Sequence, residues 1–84
     1  MQVSIDVSLY PLNKEFIKSI DDFINSLKKH DNIELRTNIM STQIFGEFDD
    51  VMKILKIEVA KTFKKEVNSV FTLKIVNGDS RKYD

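Results

Sequence analysis

Apolar and polar residues alternate along the first stretch of the chain, Gln2 to Tyr10, and the run stops at Pro11 and Leu12. A period of two is the pattern of a strand with one buried face. Val3, Ile5, Val7 and Leu9 make up its apolar set, and Gln2, Ser4, Asp6, Ser8 and Tyr10 make up the other. The second set is the unusual one. It puts a carboxylate in mid-strand, where such groups are depleted, between two hydroxyls and ahead of a phenol.

Beyond Pro11 the period changes to three and four. Phe16, Ile17, Ile20, Phe23, Ile24 and Leu27 predict an amphipathic helix from Asn13, a suitable N-cap, to about Lys29, with Lys28, Lys29 and His30 near its negative end. Ile33, Leu35, Thr37 and Ile39 then alternate with Glu34, Arg36, Asn38 and Met40, which predicts a second strand. The stretch Ser41 to Phe48 predicts a third, paired with the second as an antiparallel hairpin; Gly46 inside it marks a bulge or the close approach of another group. Asp49 and Asp50 open a second helix carrying Val51, Met52, Leu55, Val59 and Phe63, and Lys61, Lys64 and Lys65 crowd its end. Val70 to Val76 read as a fourth strand closed by Asn77-Gly78-Asp79, with Ser80 to Asp84 expected to fray.

The order β-α-β-β-α-β points to an α+β, ferredoxin-like sandwich: a four-stranded antiparallel sheet with two helices on one face. Right-handed crossovers make the first strand central, and the face away from the helices stays open. That open face is expected to carry Ser4, Asp6, Ser8 and Tyr10 from the first strand, Phe45 from the third, and Val70, Thr72 and Lys74 from the fourth.

Composition narrows what such a domain does. The 84 residues make one domain, residues 1–84, small enough for oligomerisation to be a natural supplement to its core. Lys plus Arg and Asp plus Glu both number 13, so the summed charge gives no electrostatic reason to expect nucleic acid or an anionic membrane as partner. With no cysteine there is no disulfide, thiolate metal site or thiol nucleophile. No apolar run is long enough for a membrane span and no leader-like segment is visible, so the expectation is a cytoplasmic protein. One histidine and two glycines cannot assemble a Ser-His-Asp arrangement, a phosphate loop or a metal cluster, so neither a catalytic residue nor a resident cofactor is expected.

Asp6 is the sharpest candidate. On a central strand it needs a donor or a cation once anything covers it, and the plain alternative is a solvated face with Lys74 as counter-charge. Ser4 and Ser8 could order a ligand beside it, and Tyr10 could stack on a ring or sit over a cation. Ser41 and Thr42 add hydroxyls near the hairpin, where ordinary turn chemistry would also explain them. Phe45, exposed on the open face, would be a dimer contact or a pocket wall, with Val70 and Thr72 beside it. His30 reads as a solvated partner of the helix dipole.

Two segments together resemble a known family: S-L-Y-P-L at Ser8 to Leu12, and T-N-I-M-S-T-Q-I-F-G-E-F at Thr37 to Phe48. Their order and spacing are similar to those of the YkoF-like thiamine and hydroxymethylpyrimidine-binding superfamily, including its single-domain thiamine-binding proteins. The resemblance implies a non-enzymatic ferredoxin-like domain that associates through its sheets and binds thiamine or its hydroxymethylpyrimidine precursor. Ser8, Tyr10, Ser41 and Thr42 stand at positions matching the family motifs, Thr37 opens the second of them, and Asp6 stands where relatives carry varied polar residues. A homodimer or homotetramer would rebuild the arrangement that tandem relatives hold in one chain. The second reading is a ferredoxin-like regulatory module whose open face serves only for assembly; an acylphosphatase-like enzyme lacks the Arg-bearing phosphate loop it would need after the first strand.

Overall fold

The structure is a computed structural model that describes residues 1–83. The elements are β1 (Gln2–Pro11), α1 (Phe16–Leu27), β2 (Glu34–Thr37), β3 (Thr42–Glu47), α2 (Phe48–Lys65), β4 (Ser69–Asn77) and a short 3-10 helix (Ser80–Tyr83). All neighbouring strands are antiparallel in the order β2-β3-β1-β4, with both helices on one face, which is the ferredoxin-like α+β fold. Period two in β1 does what the sequence requires: Val3, Ile5, Val7 and Leu9 all turn into the core. There they meet Ile44 of β3, Phe23 and Leu27 of α1, and Val51, Ile54 and Leu55 of α2. Leu27, Ile44 and Val51 have no exposed surface, so truncating one of them to alanine costs about 2–5 kcal/mol.

Gly46 is a close-approach glycine rather than a bulge. It sits in regular register opposite Val3, and a Cβ there would come within 3.1 Å of the Val51 side chain on α2. Pro11 is the last residue of β1 rather than a stop beyond it.

Several boundaries differ from the sequence expectation. α1 begins at Phe16, because Asn13 spends its amide on Glu66 at the start of the approach to β4 instead of capping the helix. β2 ends at Thr37: Asn38 accepts hydrogen bonds from the backbone N–H of Met40 (2.7 Å) and Ser41 (3.0 Å), an Asx turn that curls the chain out of the strand. Ser80 to Tyr83, expected to fray, forms the 3-10 helix over the end of the sheet; Asp84 lies outside the described residues.

The buried face of α2 is also rotated from the apolar stripe. It runs through Val51, Ile54, Leu55, Glu58 and Thr62, whereas Phe63 is half exposed and meets Phe71 edge-on at 5.6 Å. Glu58 is tolerated between the helices because Ser26 donates to it at 2.7 Å, His30 Nε2 lies at 2.7 Å and Lys61 at 3.2 Å. Burial alone would raise its carboxyl, but these three partners outweigh burial and hold it below the ordinary carboxylate value. His30, in the turn after α1, is thus a half-buried partner of Glu58 on α2, not a solvated helix-end charge.

Candidate functional site

The open sheet face divides into two halves along β1. In the lower half, Gly78 takes a φ of +93°, open to glycine, and turns the chain back across the face. Ser4 is enclosed by that turn: its hydroxyl donates to the Gly78 carbonyl (2.9 Å) and accepts from the Ser80 N–H (2.8 Å). Arg81 lays its guanidinium over the Phe45 ring, 4.3 Å from the centroid, while Asp79 and Glu34 accept its hydrogen bonds. Hydrogen bonding from Arg81 lowers the Asp79 carboxyl to about 2. Phe45 is on the open face as expected but only 3% exposed, covered by Arg81 rather than left as a free contact. The chain's own C-terminal turn thus already engages Ser4 and Phe45.

The upper half is a groove of about 260 Å³ lined by Asp6, Ser8, Tyr10, Met40, Ser41, Thr72, Leu73 and Lys74. The register makes this assembly: Asp6 lies opposite Lys74, Ser8 opposite Thr72, and Tyr10 opposite Val70. Of the sequence candidates, Asp6, Ser8, Tyr10, Ser41 and Thr72 come together here. Lys74 does not act as counter-charge, since no ion pair forms to Asp6 among the described residues. Asp6 Oδ1 is buried and has no hydrogen-bond partner among the described residues. A carboxylate oxygen only accepts, so this atom is unsatisfied until a donor or cation arrives. Ser8 reaches the Met40 carbonyl only at 3.5 Å, and Tyr10 is half exposed, so both retain capacity.

Thr42 and Thr37 do not join this groove. Thr42 is buried opposite Val7, which turns it toward the helix side, where it lines a separate cavity of about 380 Å³ between the end of β1, α1 and the β2–β3 loop. Thr37 pairs with Thr42, is exposed and lines neither space. Met40 was not among the sequence candidates; its alternation suggested a strand, and the Asx signal of Asn38 was the clue that it heads a loop instead. Among the described residues no group of three or more His, Asp or Glu side chains is close enough to hold a metal ion, and no helix is long and apolar enough to cross a membrane.

The model of a family described as thiamine-binding protein matches residues 5–82, nearly the whole chain. The chain belongs to that family. No curated protein matches it in sequence. Among solved structures, a Streptococcus pneumoniae protein superposes with a TM-score of 0.86 at 28% identity, over 94% of this chain and 89% of its own. A Methanocaldococcus jannascii hypothetical protein gives 0.79 at 28% identity, over 93% of this chain and 81% of its own. A candidate thiamine biosynthesis or salvage protein from Thermotoga maritima gives 0.86 at 18% identity, over 98% and 95%, which speaks for the shared fold alone. The family match spans both halves of the open face, from Ile5 to Lys82.

Proposed function

We propose that the protein is a non-enzymatic, cytoplasmic binding protein for thiamine or its hydroxymethylpyrimidine precursor, holding the ligand in the upper groove of the open sheet face. Family membership supports a thiamine-related role. The observation that carries the placement is the buried, unpartnered Oδ1 of Asp6. An aminopyrimidine offers an amine donor beside ring acceptors: the amine satisfies Asp6, and the Ser8 and Ser41 hydroxyls, each donor and acceptor, meet the remaining edge. In thiamine the thiazolium adds a positive charge that Asp6 attracts and the Tyr10 ring accommodates. No other group serves as cofactor in this reading.

A second copy of the chain covers the groove. Tyr10 and Val70 leave half-exposed apolar surface beside it, and β4, nine residues long, has an unpaired outer edge. Covering the groove lowers the local dielectric and strengthens every polar contact in it. Val70 and Thr72 remain the interface residues in this proposal, in a homodimer or homotetramer.

Isothermal titration of the wild type and Asp6→Ala with thiamine and with hydroxymethylpyrimidine tests the reading. The expected result is heat for at least one ligand, lost in the variant; no heat for either at millimolar concentration overturns it. Light scattering on Val70→Asp tests the cover: a particle of unchanged size removes the sheet-face assembly.

A further inference from the structure

The two edges of the sheet are unlike. β2 closes one side with four residues, carries Glu34 and Arg36, and is cut short by the Asn38 turn. Shortness and charge are the usual means of keeping an exposed edge from pairing. β4 closes the other side with nine residues, Ser69 to Asn77, and holds no proline, glycine or acidic residue among them. Its one charge is Lys74, on the open face opposite Asp6.

In an antiparallel ladder the N–H and C=O of one residue point to the same side, and successive residues address opposite neighbours. Gly78 donates to the Gln2 carbonyl (2.9 Å) and Leu12 to the Asn68 carbonyl (2.8 Å), so the even-numbered residues of β4 address β1. Ser69, Phe71, Leu73, Ile75 and Asn77 therefore turn their N–H and C=O outward, where no strand meets them among the described residues. Apolar surface flanks that edge on both faces. Leu73 and Ile75 lie opposite Val7 and Ile5 on the helix side, Val70 and Val76 lie on the open face, and all four are half-exposed.

We infer that the outer edge of β4 pairs antiparallel with β4 of a second copy of this chain, about a two-fold axis at Leu73, joining two four-stranded sheets into one. Self-complementarity selects this occupant, because a two-fold contact sets one surface against itself. With the axis at Leu73, that residue falls opposite the partner's Leu73, Phe71 opposite the partner's Ile75, Val70 opposite the partner's Val76, and Thr72 opposite the partner's Lys74. All of β4 pairs, apolar meets apolar on both faces, and the single charge meets a hydroxyl. Moving the axis to Lys74 sets two lysines against each other, and moving it to Thr72 sets Lys74 against the partner's Val70; either shift shortens the ladder.

This contact lies beside the sheet rather than over it, so it is distinct from the copy that covers the groove, and it requires no ligand. It still reaches the groove. The row from Asp6 to Lys74 continues into the partner's Thr72, so the two upper grooves adjoin across the axis and each is rimmed by a residue of the other copy.

Amide exchange on the wild type tests the pairing without a variant. In a lone chain, protection alternates along β4, with Thr72 and Lys74 slow and Phe71, Leu73 and Ile75 fast; in the paired form all five are slow. Alternating protection overturns the inference. The chain has no cysteine, so a single introduced one cross-links only between copies. A hydrogen-bonded antiparallel pair sets its Cα atoms about 5.5 Å apart, within disulfide reach. Leu73→Cys is expected to give a disulfide-linked dimer under mild oxidation, whereas Ile75→Cys, about 13 Å from its own copy along the strands, does not. No link at Leu73→Cys, or an equal link at Ile75→Cys, overturns the register. Leu73→Pro removes an outward N–H and none of the donors that address β1, so the expected particle in light scattering has half the wild-type mass. A folded variant of unchanged mass overturns the inference. Asp6→Ala leaves the Leu73→Cys link intact, so failure here and failure of the thiamine reading are distinguishable.

Discussion

Ser4 and Asp6 are neighbours on one face of one strand, and they have opposite fates. The Ser4 hydroxyl both donates and accepts, and the turn around Gly78 matches both capacities. Asp6 keeps a buried oxygen that nothing among the described residues satisfies. Around Ser4 the open face is closed by the protein's own cation, Arg81 on Phe45; around Asp6 it is a groove with free hydroxyls and a half-exposed phenol. A polar group that folding satisfies supports stability, whereas one that folding leaves unsatisfied costs stability. The contrast sets a satisfied and an unsatisfied polar group two residues apart.

The most severe way to break the contrast is to end the chain after Gly78. Removing the 3-10 helix re-exposes Phe45 and strips Ser4 and Glu34 of partners, and burying a Phe side chain is worth about 1.5–3 kcal/mol. A drop of about 2–3 kcal/mol in urea-unfolding stability is expected, with the lower half now as open as the upper; unchanged stability would show that the turn does not hold Phe45 down. Ser4→Ala is the finer probe. It leaves the Ser80 N–H and Gly78 carbonyl without their partner and should cost about 1–2 kcal/mol. At Asp6 the sign reverses: Asp6→Ala removes an unsatisfied buried oxygen and should raise stability by about 1 kcal/mol while abolishing thiamine binding. A loss of stability there comparable to that of Ser4→Ala would place Asp6 among the structural groups.

The smallest effect is a local one with pH. The Asp79 carboxyl is depressed from 3.8 to about 2 by Arg81, so its contribution is fully present above the ordinary value and is lost as pH falls through about 2. Between pH 4 and 2 the Arg81 turn should loosen, seen as faster amide exchange at Ser80 and Arg81. Replacing Asp79 by Asn should abolish that pH dependence.

Much of this frame was legible in the residue order. Periods of two and of three to four placed the four strands and both α-helices, though not the 3-10 helix, the element order chose the fold, and alternation alone put Asp6, Ser8, Tyr10 and Thr72 on the open face. Gly46 announced a close neighbour, and Val51 is that neighbour. The apolar count misjudged α2, because Glu58 is buried against Ser26 of α1 and His30 just after it, and Thr62 donates to the Glu58 carbonyl, and hydropathy does not record partners.

Facing is a local property: it follows from backbone geometry a few residues at a time, so the amino-acid sequence by itself determines which side of the sheet each residue of β1 takes. Satisfaction is not local. Whether Ser4 is spent or free is decided by Gly78, 74 residues further along the chain, and whether Asp6 is spent or free by what Lys74 across the ladder fails to do. The ladder from β1 to β3 likewise stops at Val7 while that to β4 runs on to Pro11, a mismatch of strand lengths that exists only once the strands are paired. Tertiary structure alone decided these points, because a hydrogen bond needs two groups at one place and sequence order specifies only one of them at a time.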